Sequence, residues 1–542
     1  MNIKKAYAET AVFLIVYLFA VYMWTLPFQD NRIPYGEFDA ISHWEIADSF
    51  EGLDRTYVYL PPFIDYSYWN DNKFMPHTLW YYPPFHTDLG MVSSLSSIFS
   101  NEGMVPVYLT NAIFASSILI SVFFVMRKLF GFLPAILSEF LLAFSMRDIM
   151  PYLWGQWPER FGYAFVPLIL YCFYAYYTNY SDDKKNPLYI YILAILLAVQ
   201  MMMHPLSFFH SLFGIFVLLI ALAVKLRKVP FNLKHIIAAL LIFVLLLSAF
   251  PYQSGNVIKS FTKKTKKAPD IFSFLRLFEW GPNPKYFEGS VPPSYFSFRE
   301  MHGLWTLPFL LIGILLLLIR RENKDLFLLA WLISLYLVLH RDAFGKWTFL
   351  HRSLSATAHI FIPITVIGAV SIFSIFKMNR AVKSILKYGG AGLIVVLALV
   401  YNMPLTYSTL NAAYDSPVIR LNPAQIEAGN WIKENVPEDK NVSIAGPPPE
   451  IMQKVWWMAS VSHRISNFFE GYLTWKTYEN NRNKTVRSVL INDYIVFDYS
   501  DIALISDRKF VEQWLAFEKQ YMGNHTLLYN KDNIRVYKYG AR

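Results

Sequence analysis

The sequence predicts a polytopic α-helical membrane protein with a small α/β domain outside the membrane at its C-terminal end. With 542 residues, of which 55% are hydrophobic and 16% charged, the chain is too apolar for a soluble protein of this size. Apolar runs of span length fill the first three quarters, and short β-rich runs alternate with helical patterns in the last quarter. The only cysteine, Cys172, lies in an apolar run, which excludes a disulfide framework and a cysteine metal site.

About eleven apolar runs are predicted to cross the membrane. The first, 10–28, follows Lys4 and Lys5 and has no small-x-small cleavage site, so we expect a retained signal anchor with a cytoplasmic N-terminus. The others lie at about 106–126, 129–146, 161–180, 187–203, 206–224, 235–251, 303–319, 325–340, 359–376 and 388–405.

If the chain crosses the membrane alternately in each direction, its basic clusters are expected in the inner turns. The net charge of +10 comes mostly from such clusters, which set orientation and meet anionic lipid, so nucleic acid is not an expected partner. Five clusters fall in inner turns: 127–128, 184–185, 225–234, 320–324 and 377–387. A sixth, 263–267, falls in a long outer loop, where the rule is weak. The same path places 28–105, 147–160, 252–302 and everything after about 405 on the outer face.

The predicted domains are a membrane domain, 1–405, with a large first outer loop, 28–105, and an extracytoplasmic domain, 406–542. In the first loop, 81–99 is predicted to be an interfacial helix. In the tail, Asn422 and Pro423 begin a helix that ends near Asn435. Strands are predicted at 442–445, 494–497, 526–529 and 534–539, and a helix at 509–522. Sequons at Asn441, Asn483 and Asn524 are candidate glycan acceptors.

Charged residues are concentrated just outside the first span. Glu37, Asp39 and His43 lie there within seven residues, and charge beside a membrane is costly unless it has a function. This favours a catalytic site at the membrane surface, just outside the first span. The alternative is structural, because Ser42 and Glu45 fit a capping box and Asp39 fits a helix N-cap.

Three segments resemble the C-type superfamily of polyprenol-dependent glycosyltransferases, which includes oligosaccharyltransferase catalytic subunits and protein O-mannosyltransferases. Residues 38–47, Phe-Asp-Ala-Ile-Ser-His-Trp-Glu-Ile-Ala, are similar to the first-loop acidic motif, and 146–160 occupies the place of the second acidic loop. The tail begins similarly at 428–437. Where oligosaccharyltransferases carry Trp-Trp-Asp-Tyr-Gly, this chain has Ala-Gly-Pro-Pro-Pro at 445–449, which favours a monosaccharide transferase.

The resemblance implies transfer of a sugar from a polyprenyl (dolichyl-type) phosphate to a lipid, glycan or protein acceptor on the outer face. Such chemistry needs a base for the acceptor hydroxyl and positive charge for the leaving phosphate. The catalytic candidates are Asp39, as base, with Glu37 and His43; the phosphate-binding candidates are Arg352, Arg341 and Lys346; the ligands of a divalent cation, Mg or Mn, are Asp39, Asp148 and Glu159.

Each assignment has an alternative. His43 also fits an interfacial hydrogen-bonding histidine, and the arginines also fit snorkelling at the interface. Asp148 and Glu159 each have an arginine as sequence neighbour and also fit neutralised ion pairs. The alternative from a different class is a transporter or a non-catalytic membrane protein with an extracellular binding domain. The spans hold few ionisable groups near their centres, Glu139 being the clearest, which disfavours transport.

Overall fold

The structure is a computed structural model. It describes residues 3–29, 40, 43, 47, 82–97, 104–181, 186–229, 231–251, 253–255, 257, 293–344, 350–372, 379–415, 420–437, 440, 442–445, 461–462, 464, 466–469, 493–504 and 508–539. Glu37, Asp39 and Lys346 lie outside the described residues, as does the basic cluster 263–267.

Apolar α-helices make up most of the described chain. They are α1 (Ile3–Trp24), α2 (Leu26–Gln29), α3 (Pro83–Ser97), α4 (Met104–Leu129), α5 (Phe132–Ala143), α6 (Met146–Leu153), α7 (Trp157–Ser181), α8 (Leu188–Met203), α9 (Pro205–Leu226), α10 (Leu233–Ser248), α11 (Phe298–His302), α12 (Thr306–Arg320), α13 (Asn323–Leu339), α14 (Leu350–Leu354), α15 (Thr357–Ser371), α16 (Arg380–Leu397), α17 (Met403–Asp415), α18 (Pro423–Asn435) and α19 (Arg508–Met522). A π-helical turn, Ala398–Asn402, joins α16 to α17.

Each predicted span overlaps a helix of the described chain. By length and composition, six helical segments of the described chain can cross a membrane: Lys4–Trp24, Val105–Leu129, Trp157–Ser181, Pro205–Leu226, Arg352–Ser371 and Arg380–Ala412. Four more are apolar but shorter, namely α5, α8, α10 and α12. The number of spans, eleven, therefore stays a prediction.

Contacts between helix ends establish which ends lie together. Arg127, at the end of α4, donates to Glu9 near the start of α1 at 2.6 Å, and Lys324 lies 5.7 Å from the Phe130 ring. These are helix ends that carry basic residues. At their opposite ends, the Trp24 carbonyl accepts a hydrogen bond from the Tyr152 hydroxyl at 3.0 Å. The 146–160 segment therefore lies at the end of the helices away from the basic clusters.

Glycines allow α12, α15 and α16 to pack with their backbones close together. A Cβ atom at Gly313 would collide with the Ile364 carbonyl, and one at Gly368 with the Phe309 carbonyl. At Gly390 it would lie 2.5 Å from the Ala369 oxygen. Small residues at helix contacts are the usual means of close association in membranes. These contacts fix the position of α15, which carries His359.

In the described part of the tail, five strands form a sheet with a helix against each face. Its strands are β1 (Val442–Ala445), β2 (Ser466–Phe469), β3 (Tyr494–Asp498), β4 (Thr526–Lys531) and β5 (Ile534–Lys538), in the order β2-β1-β3-β5-β4. β1 is parallel to β2 and β3, and β5 is antiparallel to β3 and β4. Ile432 of α18 packs on one face and Trp514 of α19 on the other.

The predicted elements of the tail are present. The four predicted strands correspond to β1, β3, β4 and β5, whereas β2 has no signal in the sequence analysis. Asn422 and Gln425 form a reciprocal capping box at the start of α18, with Pro423 at its first position. The small C-terminal α/β fold is therefore confirmed.

The chain divides into two compact units. One comprises Met1–Leu26 and Leu109–Leu410, and the other Pro27–Tyr108 and Asn411–Arg542. This division differs from the one expected at 405/406, because the first loop is grouped with the tail. Within the second unit, Arg420 donates to the Pro27 carbonyl, which joins its two segments.

Candidate active site

Two consecutive helices place the acidic residues of the 147–160 segment. Asp148 lies in the first turn of α6 and Glu159 in the first turn of α7, where a helix N-terminus favours negative charge. Gly155, at φ +82°, provides the left-handed turn between the two helices. Both carboxylates are buried within the first unit.

Asp148 is paired with two buried side chains from other helices. Its Oδ1 accepts from His359 Nε2 of α15 at 2.8 Å and forms an ion pair with Arg160 Nη2 of α7. His359 Nε2 and Arg160 Nη2 are 3.1 Å apart. In the described part of the chain, Oδ2 of Asp148 has no hydrogen-bond partner, and neither have Nε and Nη1 of Arg160. These three residues are called the Asp148 triad below.

Glu159 lies among cationic and hydrogen-bonding groups. Its Oε2 is 3.7 Å from Arg352 Nη1 and 3.9 Å from His204 Nε2. His204 is the N-cap of α9 and accepts from the Leu206 amide through Nδ1 at 3.3 Å, which leaves the Nε2 proton directed at Glu159. Both distances to Glu159 exceed a hydrogen bond, so the attraction is electrostatic. Glu159, His204 and Arg352 are called the Glu159 cluster below.

Arg341 and Tyr163 extend this cluster towards the triad. Burial lowers the pKa of the Arg341 guanidinium, and the neighbouring Tyr163 and Glu159 oppose that shift. Tyr163 lies one helical turn after Glu159, with its ring 6.0 Å from the His359 ring. The Glu159 cluster and the Asp148 triad are therefore parts of one polar region at the same end of the helices.

The ion pairs differ from those expected between sequence neighbours. Arg147 donates to the Tyr295 carbonyl, and its guanidinium lies 4.8 Å from the Tyr295 ring. Arg160 pairs with Asp148, not with Glu159. Adjacent residues of a helix point about 100° apart, so each carboxylate is met by residues from a different helix or turn.

The described residues fit a metal ion only in part. Among them, no group of three or more His, Cys, Asp or Glu side chains could hold one. Asp148 fits as a single ligand, because its buried Oδ2 has no hydrogen-bond partner in that part of the chain. Glu159 fits poorly, since an arginine and a histidine already surround its carboxylate.

His43 belongs to the second unit and forms a buried pair. Its Nδ1 is 2.9 Å from His86 Nε2 of α3, and the two rings are 5.1 Å apart. Phe85 packs edge-on against the His43 ring at 6.1 Å. His43 is therefore hydrogen-bonded to another residue of the first loop, His86, and its catalytic role stays a prediction.

Three residues of this region are absent from the candidates drawn from the sequence. In the sequence, Arg160 is the neighbour of Glu159, and His204 precedes a proline between two apolar runs. His359 is the first residue of a predicted span and carries no other signal. A histidine or arginine at the end of an apolar run is the pattern that all three share.

No family model and no curated protein sequence matches the chain. Solved structures do match. Archaeal oligosaccharyltransferase AglB from Archaeoglobus fulgidus, in complex with an inhibitory peptide and a dolichol-phosphate, is similar over 99% of this chain and 75% of its own, with 15% identity and a TM-score of 0.58. ArnT from Cupriavidus metallidurans, bound to undecaprenyl phosphate, is similar over 100% and 99%, with 10% identity and a TM-score of 0.58.

A structure of the Archaeoglobus fulgidus oligosaccharyltransferase, in complex with Zn and sulfate, is similar over 97% of this chain and 73% of its own, with 15% identity and a TM-score of 0.54. Identities this low establish the fold alone. The chain has the fold of the C-type glycosyltransferases that its sequence resembles, and the predicted class of polytopic helical membrane protein is confirmed.

Proposed function

We propose that a chain with this fold and this polar region is a membrane glycosyltransferase, which moves a sugar from a polyprenyl phosphate to an acceptor. Two of the similar structures support the donor class, since one is described with a dolichol-phosphate and the other with undecaprenyl phosphate. The acceptor is a lipid, a glycan or a protein.

The observation that carries the proposal is the Glu159 cluster. Arg352 is the accessible member, with 23% of its side chain exposed, and Arg341 lies close enough to interact with Glu159. A guanidinium can bind phosphate through two parallel hydrogen bonds. We propose that Glu159 holds these cations in place and that Arg352 and Arg341 bind the donor phosphate. Lys346 stays a third candidate.

The reaction exchanges one bond at the anomeric carbon for another. The acceptor oxygen forms a bond to that carbon, while the bond from the carbon to the phosphate oxygen breaks and polyprenyl phosphate leaves. The arginines stabilise the charge that grows on the leaving phosphate. Asp39 is the proposed base that takes the acceptor proton, with Glu37 and His43 as the further candidates in the same stretch.

A divalent cation, Mg or Mn, is part of the proposal. The Archaeoglobus fulgidus oligosaccharyltransferase structure described with Zn supports a metal in this fold. Asp148, through Oδ2, and Asp39 are the proposed ligands, and a bound cation would neutralise charge on the phosphate. Glu159 is the weakest of the three ligand candidates, because its oxygens face Arg352 and His204.

The test uses the purified full-length protein and a panel of polyprenyl-phosphate sugars. We expect transfer or hydrolysis of at least one donor. Asp39→Asn should lower turnover by roughly two to four powers of ten, because an amide cannot accept the proton. Asp88→Asn is the matched control, since Asp88 is an exposed aspartate of the same loop.

Two results would contradict the proposal. If the wild-type protein consumes no donor but drives uptake of a solute into vesicles, the chain is a transporter. If Asp39→Asn turns over normally, Asp39 is only a helix cap, because asparagine caps as well as aspartate.

A further inference from the structure

We propose that Asn524 carries an N-linked glycan and that this glycan covers the open edge of the tail's sheet at β4. The inference goes beyond the proposed function, because here the chain is the acceptor of a sugar and not the enzyme. It rests on the predicted outer location of the tail. Of the three sequons in the tail, the one at Asn524 has its acceptor among the described residues.

The acceptor lies in an exposed turn between α19 and β4. The His525 amide donates to the Met522 carbonyl at 2.9 Å, and the His525 ring packs against the Tyr539 ring at a centroid distance of 4.5 Å. The middle residue of the sequon is therefore held against the end of β5, whereas Asn524 and Thr526 on either side of it are exposed. These two residues are the ones that a glycosylating enzyme reads, and both are accessible to it.

The turn leads directly into a strand with one open side. β4 is at the end of the strand order, and within the described part of the tail it pairs with β5 alone. Leu527 and Leu528 of this strand are each 42% exposed. An edge strand with exposed apolar side chains is a template for pairing with another chain, and proteins usually cover or charge such an edge.

The two ends of β4 differ in their protection. Lys531 places a charge at the far end, whereas the near end, 526–528, has no charged residue. Asn524 lies two residues before this uncharged end. A glycan is bulky and solubilising, so one attached at Asn524 would cover the part of the edge that has no charge of its own.

The modification is a group transfer from a polyprenyl-phosphate-linked oligosaccharide. The side-chain nitrogen of Asn524 forms a bond to the anomeric carbon, while the bond from that carbon to the phosphate oxygen breaks. The amide loses one proton, and the polyprenyl phosphate leaves with its charge.

The experiment uses the full-length protein purified from its native host and analyses its tryptic peptides by mass spectrometry. Cleavage after Lys519 and Lys531 releases peptide 520–531, in which Asn524 is the only sequon. We expect the mass of attached sugar residues on this peptide. Asn524→Gln and Thr526→Ala should both lose that mass, and Thr526→Ser should keep it, because serine also completes a sequon.

A sequon outside the tail provides the matched control in the same sample. Asn179 begins the sequence Asn-Tyr-Ser at the end of α7, beside the basic residues 184–185, which are predicted to be cytoplasmic. The tryptic peptide that contains it, 161–184, should carry no sugar. An unmodified peptide 520–531, or sugar on peptide 161–184, would overturn the inference.

The covering role has a readout of its own, the oligomeric state of the purified protein measured by light scattering. Asn524→Gln should increase the fraction of self-associated protein relative to the wild type, and Thr526→Ser should not. Adding Leu528→Lys to Asn524→Gln should reverse the increase, because a charge on an edge strand opposes pairing. Equal self-association of the wild type and Asn524→Gln would overturn the covering role. None of these results depends on whether the chain itself transfers sugar.

Discussion

Arg352 has the access that a phosphate-binding arginine needs, since 23% of its side chain is exposed beside a buried carboxylate. Arg352→Lys keeps the charge and loses the planar pair of donors. Loss of one hydrogen bond to a charged group costs about 1.5–3 kcal/mol, so we expect kcat/KM to fall by roughly 10- to 100-fold. Steady-state kinetics with a polyprenyl-phosphate sugar would measure it.

The control for Arg352 is Arg299→Lys, because 74% of the Arg299 side chain is exposed and its acidic neighbour is the adjacent Glu300. We expect this variant to turn over normally. If Arg352→Lys does the same, then Arg352 serves only to balance the charge of Glu159.

The sequence was sufficient to select residues of the site by their side-chain type, but it did not reveal which residues they contact. Asp148 and Glu159 stand out in sequence as acidic residues in a short outer turn. Their partners, His359 and Arg352, lie about 200 residues further along the chain, and only helix packing brings them there. Glu37 and Asp39 lie outside the described residues, so their roles stay predictions.

At the scale of helices, α16 offers a test of close packing. Gly390 approaches the Ala369 oxygen of α15, whereas a Cβ atom at Gly389 or Gly392 would meet nothing within 4 Å. Gly390→Ala should lower the melting temperature of the purified protein, because overpacking costs about 1–3 kcal/mol. Gly389→Ala and Gly392→Ala should leave it unchanged or raise it, since alanine favours a helix by about 1 kcal/mol.

The same three variants provide their own check, because they are identical changes within four positions of one helix. A lower melting temperature in all three would indicate that the effect comes from the helix itself and not from its contact with α15.

Helices and strands were predicted correctly where a local sequence pattern, such as a long apolar run or a capping box, determines them. Long apolar runs become helices because a membrane leaves backbone groups no other partner. The capping box of Asn422 and Gln425 marks the start of α18 in sequence and in structure. β2 gave no signal, because a parallel strand of four residues is specified by its neighbour β1 more than by its own pattern.

At the scale of the whole molecule, the basic clusters and the polar region lie at opposite ends of the first unit's helices. If the clusters are cytoplasmic, the site is outside. Cysteines introduced at Lys225 and Lys519, both exposed, should therefore react with an impermeant maleimide from opposite sides of the membrane. Comparing maleimide labelling of intact cells with that of opened cells would show from which side each cysteine reacts.

The native background suits this experiment, since the only cysteine, Cys172, is buried. Reaction of both positions from the same side would contradict the predicted path of the chain, and with it an outer location for the tail.

The glycine contacts of α15 also act at a distance. Gly368 touches the Phe309 carbonyl of α12, and His359 lies nine residues earlier on the same helix, roughly 13 Å away along its axis. A methyl group at Gly368 that displaces α15 is therefore expected to displace His359 as well, because both residues belong to this helix. The hydrogen bond from His359 to Asp148 spans only 2.8 Å and tolerates a few tenths of an ångström. The distance between His359 and Asp148 in the polar region thus depends on glycine contacts in the apolar interior.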